Sequence, residues 1–295
     1  MHTQMRTRSK KMKRLPKNIR IGTCSWKYDS WKGLIYSDDV GKNYLSEYSK
    51  QFSIVEVDQW FWALFGDKIV MPNPEVVSEY VTSVPKDFRF SIKVLNAITL
   101  THKHGKGPLE GNPHFLSNDL MDDFLKLLEP MSKQINSLIF QFEYLNKQKM
   151  SDQITFQNQL ETFCKNLPPK FHYCIEIRNQ NYLNKPYFEF LDSMKLSHVF
   201  LQGYWMPPIF EIYGRFQEYI KRHTVIRLHG PDRKGIEHQT DGEWNAIVDP
   251  KDGELHKLKM MIHDLLAREV KVTLSVNNHY EGSAPRTIDR LLNLF

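Results

Sequence analysis

Charged and amide side chains recur at one kind of position in this sequence, at or just beyond the ends of short β-rich segments. They are Glu56, Asp58, Lys93, Gln141, Glu176, Arg178, Gln202, Arg227, His229 and Asn277. Carboxylates and imidazoles transfer protons, whereas guanidinium and ammonium groups bind the oxygens of phosphates and carboxylates. If the fold brings these segment ends together, the set predicts acid–base chemistry on a small anionic molecule.

The β-rich segments alternate with helical patterns throughout the chain after residue 18. The predicted strands are residues 19–24, 54–58, 88–94, 138–142, 172–177, 197–202, 224–229 and 270–276. The predicted helices are residues 42–52, 73–83, 118–130, 152–165, 185–195, 210–222, 254–268 and 283–295. Eight such units in about 270 residues favour a closed (β/α)8 barrel, the TIM barrel of the α/β class, over a doubly wound sheet. We therefore predict a single barrel domain over residues 19–295.

Alternation within the predicted strands indicates where the polar side chains point. Neighbouring residues of a strand face opposite sides of the sheet. In the segment 172–177, Ile175 and Ile177 share one side, and Glu176 and Arg178 follow the opposite parity. If the apolar sets face the surrounding helices, the polar sets converge on the C-terminal mouth of the barrel, where active sites of this fold are built.

A buried network of ion pairs is the structural alternative to an active site. In this network the acidic side chains of Glu56, Asp58 and Glu176 would form ion pairs with the basic side chains of Lys93, Arg178 and Arg227. Each charge would be retained because an unpaired partner inside the protein costs several kcal/mol. This alternative explains single pairs well but the whole set less well, since Val, Ile and Leu ordinarily fill a barrel interior.

Seven short motifs in a fixed order resemble one family, the YecE-like proteins, also called domain of unknown function number 72. The motifs are Ile21-Gly22-Thr23-Cys24-Ser25-Trp26 with Trp31-Lys32-Gly33 and Tyr36, Val55-Glu56-Val57-Asp58, Phe88-Arg89-Phe90-Ser91-Ile92-Lys93, Ile98-Thr99 with Thr101-His102, Glu176-Ile177-Arg178, Ile226-Arg227-Leu228-His229-Gly230, and Asn277 to Pro285. The resemblance covers Ile21 to Phe295. It implies a barrel of the xylose-isomerase and endonuclease-IV kind and leaves the reaction open. Where the family commonly has Glu-(Ile/Val)-Asn-Ser-Thr-Phe-Tyr, this chain has Asp58, Trp60 and Trp62, so its ligand can differ.

The first functional hypothesis is an enzyme that acts on a phosphorylated or carboxylated metabolite. Arg178, Arg227 and Lys93 would bind the anion. Glu56 or Glu176 would be the general base, and His229, whose residue type titrates near neutral pH, the general acid. The other predicted substrate contacts are Asp58, Gln141, Asn277 and Asn278. No cofactor is predicted; a variant by analogy with related barrels places a divalent metal on Glu56, Asp58, Glu176 and His229.

The second hypothesis, a nucleic-acid-binding or nuclease-like protein, starts from the uneven charge. Lys and Arg number 40 against 34 Asp and Glu, and eight of the 40 lie in the first 20 residues, which contain no acid. The remaining 32 against 34 give a net charge of −2, so we predict a basic, disordered tail over residues 1–18. Such a tail would attract phosphates, and Trp60, Trp62, Tyr204 and Trp205 would stack bases. A role of the tail in solubility is the simpler alternative.

Composition and cysteine spacing exclude several other classes. With 41% hydrophobic and 13% aromatic residues, the chain is neither disordered nor collagenous. We see no membrane span, no disulfide framework and no structural zinc motif, and Cys24 is expected to be a small packed thiol. We predict a cytoplasmic protein, with a mitochondrial presequence as the alternative interpretation of the acid-free N-terminus. The oligomeric state does not follow from the sequence.

The segment after the last predicted strand has the pattern of a helix start. Ser283 is a favourable N-cap residue, and Pro285 suits the first helical turn. The backbone N–H groups of that turn, with Arg286 beside them, predict an anion site where barrels often bind phosphate. The alternative is an ordinary capped helix.

Overall fold

Eight strands form one closed parallel sheet, which confirms the predicted (β/α)8 barrel. The computed structural model describes residues 15–39, 41, 43–105 and 108–295, so most of the predicted basic tail lies outside the described residues. The strands are β1 Ile19–Cys24, β2 Ile54–Val57, β3 Leu64–Phe65, β4 Lys68–Ile69, β5 Arg89–Lys93, β6 Ile135–Gln141, β7 Tyr173–Glu176, β8 Ser197–Gly203, β9 His223–Gly230 and β10 Lys271–Val276. The sheet order is β1, β10, β9, β8, β7, β6, β5, β2, and β3 and β4 form a separate antiparallel hairpin.

Each predicted helix is present, with shifts at its ends. The helices of the described residues are α1 Tyr44–Gln51, α2 Pro74–Thr82, α3 Asn96–Thr99, α4 Asn118–Leu127, α5 Gln153–Cys164, α6 Lys185–Ser193, α7 Ile209–Phe216, α8 Arg233–Thr240, α9 Asp252–Ala267 and α10 Ala284–Leu292. The helix predicted to end at residue 130 stops at Leu127, and a 3₁₀ segment follows from Glu129 to Gln134, because Pro130 has no N–H to continue the α-helical bonds. Helix α8 was not predicted, since its polar sequence contains Gly235 and lacks an apolar stripe.

The chain divides into two compact units. The first unit consists of Met1–Glu56, Ser83–Arg89 and Phe200–Phe295. The second unit consists of Val57–Thr82 and Phe90–Val199. Among the described residues, no helix combines the length and the apolar character needed to cross a bilayer.

In the first unit, strand pairing brings the ends of β1, β2 and β9 to one edge of the sheet. β1 pairs in parallel with β10 and with β2, and β10 pairs in parallel with β9. The register places Cys24 opposite Glu56 and Arg227 opposite Ser275. Because the strands are parallel, their carboxyl ends lie on the same side, and the last residues of each strand are neighbours.

The ends of β8 and β9 approach each other closely at two glycines. Gly203 has φ +132°, and a Cβ added there would lie 2.3 Å from the carbonyl oxygen of Gly230, which has φ +75°. The next residue, Tyr204, has φ +54°, and its N–H donates to the Gly230 carbonyl at 3.0 Å. The glycines therefore allow a backbone approach that fixes the position of Tyr204.

In the second unit, β5, β6, β7 and β8 pair in parallel in that order. The register of β6 and β7 places Gln141 opposite Glu176. The polar ends of β6 and β7 are therefore side by side, as strand parity predicts.

The β3–β4 hairpin of the same unit contacts the long loop after β5, because Lys103 forms ion pairs with both Asp67 and Glu110.

Candidate functional site

Four side chains meet at the strand ends of the first unit and are called here the strand-end cluster: Cys24, Glu56, Arg227 and His229. Cys24 ends β1, Glu56 lies in β2, and Arg227 and His229 are two positions apart on β9, so they face the same side. All four side chains are buried. Three of them were predicted site residues, and Cys24 was not.

Glu56 and Arg227 form a buried bidentate ion pair. The Arg227 Nε donates to Oε2 of Glu56 at 2.9 Å, and Nη2 donates to Oε1 at 2.6 Å. The side chains are 0% and 2% exposed, so water does not screen the interaction. Each charge compensates the other, and the pair contributes no net charge to the cluster. Arg227 thus fixes the orientation of the Glu56 carboxylate.

His229 is held between two other side chains of the first unit. Its Nδ1 lies 3.1 Å from the Tyr204 hydroxyl, and its Nε2 lies 3.8 Å from the Cys24 Sγ. In the tautomer in which Nδ1–H donates to Tyr204, Nε2 presents a lone pair towards Cys24. The imidazole is therefore positioned to accept a proton or to bind a metal ion at Nε2.

Donor atoms of Cys24, Glu56 and His229 all lie within 4.8 Å of one another. This is the one group of three or more potential metal ligands among the described residues. The sequence-based metal variant shares Glu56 and His229 with this group, and Cys24 is the third member in place of Asp58 and Glu176. Thiolate, imidazole and carboxylate are suitable ligands for zinc and related transition metals.

Cys24 and Tyr204 are the functional candidates that the sequence analysis did not assign to the site. Cys24 is predicted to be a packed thiol, and Tyr204 is predicted to stack bases under the nucleic-acid hypothesis. The signal that could have found Cys24 is its place at the end of a strand, the same criterion that selected the charged residues. For Tyr204 no comparable signal exists, because its position depends on the left-handed backbone after Gly203.

Asn277 and Asn278 follow β10 and organise the turn before α10. The Asn277 Oδ1 accepts from the backbone N–H of His279 at 2.9 Å, and its own N–H donates to a carbonyl of β9. The Asn278 Oδ1 accepts from the N–H of Ala284 at 2.9 Å. Both predicted substrate contacts thus have amide oxygens engaged in backbone bonds, and their substrate role stays a prediction.

The start of α10 differs from the expected cap. Ser283 occupies the N-cap position but makes no capping hydrogen bond through its side chain, and Pro285 lies in the first turn as predicted. Pro285, the second helical residue, has no N–H to donate to a cap, and the N–H of Ala284, the first helical residue, donates to Asn278. Arg286 donates its Nε to the carbonyl of Asn245. The N–H of Ala284, one donor of the anion site expected at this turn, is therefore already engaged, and the anion site stays a prediction.

Gln202, at the end of β8, has a structural role. Its Oε1 accepts from the N–H of Ile209 at 3.0 Å, which caps α7, and its Nε2 donates to Glu254 at 2.9 Å. The side chain is buried. Both ends of the amide are therefore used within the fold.

The other predicted site residues lie in the second unit. Glu176 is fully buried, and its Oε1 accepts from the Arg178 Nη2 at 2.5 Å. Lys93 lies with Nζ 3.7 Å above the ring of Phe61. Asp58 is partly exposed, and Gln141 is the register partner of Glu176. An ion pair of the predicted kind therefore occurs here as well, between buried Glu176 and partly exposed Arg178.

The aromatic side chains of the nucleic-acid hypothesis have different environments. In the second unit Trp60 is buried and stacks on Tyr80, whereas Trp62 is 60% exposed. In the first unit Trp205 is 86% exposed, and Tyr204 contacts His229. Base stacking would thus depend on the two exposed indoles, those of Trp62 and Trp205, and this role stays a prediction.

His198 on β8 is a buried imidazole whose neutral form the fold favours. Its Nδ1 lies 3.2 Å from the Tyr187 hydroxyl, and burial lowers its pKa to about 3, against the opposing effect of the Glu176 charge. As the pH falls below about 6.5 the unfolded chain gains a proton that folded His198 does not, so stability is lost. We expect the free energy of unfolding to fall by about 2 kcal/mol between pH 7 and pH 5 through this residue.

The measurement is urea unfolding of wild type and of His198→Gln at the two pH values. The variant lowers stability at both values but should show the smaller decrease on acidification. Other histidines contribute equally to both proteins and cancel in the comparison. Equal decreases in the two proteins would contradict the prediction.

A closed parallel β/α barrel with polar side chains at the carboxyl ends of its strands defines a TIM-barrel protein. The family model described as "Protein of unknown function DUF72" matches residues 20–295. The chain belongs to the DUF72 family, which confirms the resemblance drawn from the motifs.

Solved structures of the same family have the same fold. A DUF72 family protein from Enterococcus faecalis V583 is 20% identical with a TM-score of 0.63, over 94% of this chain and 96% of that one. A DUF72 family protein from Thermotoga maritima MSB8 is 18% identical with a TM-score of 0.63, over 93% and 96%. No curated protein matches the chain. At these identities the structural likeness establishes the fold alone.

Proposed function

We propose that the chain is an enzyme that acts on a small anionic molecule, phosphorylated or carboxylated, at the carboxyl ends of β1, β2 and β9. The observation that carries the proposal is the strand-end cluster, a thiol, a carboxylate, a guanidinium and an imidazole buried together. A purely structural role gives no reason for such a set, because hydrophobic replacement of a buried ionic group is often neutral or stabilising. Barrels build their active sites at this end.

Within the cluster, Arg227 orients the Glu56 carboxylate, and the ion pair supplies no net charge that would attract an anion. Arg227 directs two N–H groups at Glu56, so its charge is compensated before any ligand arrives. The carboxylate is held in one orientation, which suits the general-base role predicted for it. Of the other cluster members, His229 is the one that can carry a positive charge, and in its protonated form it would meet the anion and act as the general acid predicted for it. The anion-binding roles of Lys93 and Arg178 stay predictions.

The test is a thermal-melting screen of the protein against phosphate, sulfate, sugar phosphates, nucleotides and dicarboxylates. A ligand at 100 times its Kd should stabilise the native state by about 2.7 kcal/mol, because it binds that state alone. His229→Asn is expected to fold and to lose this stabilisation. His238→Asn, at an exposed position of α8, is the matched control and should respond like wild type.

Two outcomes would contradict the proposal. One is a wild type whose melting temperature no anion raises. The other is a His229→Asn variant that responds to the same anions as strongly as wild type.

A further inference from the structure

We infer that Cys24, Glu56 and His229 bind one divalent transition-metal ion, for which Zn²⁺ is the best match. The inference rests on the proposed function, because the ion would occupy the same cluster and supply the charge that the anion needs. It goes beyond the metal variant based on related barrels, since a thiol that was expected only to pack becomes a ligand.

The separation of the donor atoms fits a single small ion. With Zn–S near 2.3 Å and Zn–N near 2.0 Å, tetrahedral geometry requires about 3.5 Å between sulfur and nitrogen. The Cys24 Sγ and the His229 Nε2 are 3.8 Å apart. A Glu56 oxygen lies within 4.8 Å of both. A small contraction of three side chains therefore brings all donors to bonding distance.

Neighbouring side chains already orient two of the three ligands. The Tyr204 hydroxyl, 3.1 Å from Nδ1, accepts Nδ1–H in the tautomer of His229 that has a lone pair on Nε2, and so would hold the imidazole as a ligand. Arg227 fixes the Glu56 carboxylate through one contact to each oxygen. Each oxygen has a second lone pair, so the ion pair and metal binding are compatible. Such outer contacts are typical of metal sites in proteins.

The donor types and the charge favour zinc over magnesium or calcium. A thiolate and an imidazole are softer ligands than Mg²⁺ or Ca²⁺ prefer. Three protein ligands leave the fourth zinc position for water or substrate, as in catalytic zinc sites. An ion with two charges, a thiolate and the neutral Glu56–Arg227 pair together leave one net positive charge. That charge meets the anion, and His229 is then a ligand instead of the general acid.

The other two cysteines are internal controls. Cys164 and Cys174 lie in the second unit, and burial raises the pKa of both thiols, that of Cys164 to about 12. Neither thiol belongs to a group of three potential metal ligands among the described residues, whereas Cys24 does. Replacement of Cys174, which is buried as Cys24 is, therefore controls for the loss of a buried thiol.

The experiment is a Co²⁺ titration of chelator-treated protein in the presence of a phosphine reductant. We expect one equivalent to produce the near-ultraviolet charge-transfer band of a thiolate–cobalt bond. Cys24→Ser should keep its circular dichroism and lose the band, and Cys174→Ser should keep both. If Cys24→Ser does not fold, Tyr204→Phe takes its place and should weaken Co²⁺ binding by about 10–100-fold.

The inference is overturned by a wild type without the band, by an undiminished band in folded Cys24→Ser, or by unchanged affinity in Tyr204→Phe. The anion screen, repeated on chelator-treated and Zn²⁺-loaded protein, separates this result from the proposed function. A cobalt band without any anion response leaves the metal site standing and ends the proposed function. An anion response of chelator-treated protein, combined with no cobalt band in the titration, supports the proposed function and ends the metal-site inference.

Discussion

Replacement of Arg227 by methionine is expected to lower the free energy of unfolding by about 3–5 kcal/mol. The cause is Glu56, whose fully buried carboxylate would lose both hydrogen bonds to the guanidinium. A buried charge without a partner must take up a proton, draw in water or unfold the surrounding structure. Urea unfolding followed by circular dichroism at pH 7 measures the loss.

The double variant Glu56→Gln/Arg227→Met identifies the origin of this loss. Removal of the whole pair leaves no stranded charge, so the double variant should recover most of the stability that Arg227→Met loses. Lys126→Met, at an exposed ion pair with Asp123, should leave the unfolding curve unchanged. An Arg227→Met variant as stable as wild type would show that the pair is not the buried interaction described here.

Replacement of Gly203 by alanine should have an effect of similar size, about 3–5 kcal/mol, from strain and overlap together. The backbone φ of +132° is unfavourable for alanine, and the new Cβ would lie 2.3 Å from the Gly230 carbonyl oxygen. The ends of β8 and β9 must move apart to relieve this overlap. Tyr204, the next residue, would then lose its contact with His229, so metal and anion responses should weaken as well.

Gly214→Ala is the matched control for the glycine prediction. Gly214 lies within α7, and nothing is within 4 Å of a Cβ added there. The substitution should therefore stabilise the protein by about 0.5–1 kcal/mol through helix propensity. Urea unfolding of both variants measures these changes in stability. A Gly203→Ala variant as stable as Gly214→Ala would contradict the close approach of the two strands.

Strand parity predicts from the sequence alone which face of the sheet the polar side chains occupy. The alternation of Ile226 and Leu228 with Arg227 and His229 placed the polar pair on one face of β9, and both are buried at the expected edge. This worked because side-chain direction in a strand is a local property of the chain. The fold class followed from the same kind of local pattern, repeated eight times.

The partners within the cluster could not be predicted in the same way. Three acids and three bases allow several pairings, and only the closed sheet brings Glu56 to Arg227, since β1 and β10 lie between their strands. Cys24 joins the site through its distance to His229, which residue type does not reveal. Local propensity predicts Ser283 as the N-cap of α10, and Ser283 occupies that position but makes no capping bond, whereas the first N–H of the helix, that of Ala284, donates to Asn278, six residues earlier.

The first unit is assembled from three separate stretches of chain, and this has a consequence for biosynthesis. Glu56 and Arg227 are 171 residues apart, and Cys24 and His229 are 205 apart. A ribosome that adds about 5–20 residues per second needs roughly 10–30 s to pass from Glu56 to Arg227. Throughout that interval the nascent carboxylate lacks Arg227, the partner that compensates its charge in the folded protein, so its burial would be unfavourable. The cluster therefore forms only after most of the chain has been translated, and β2 cannot reach its final buried position before then.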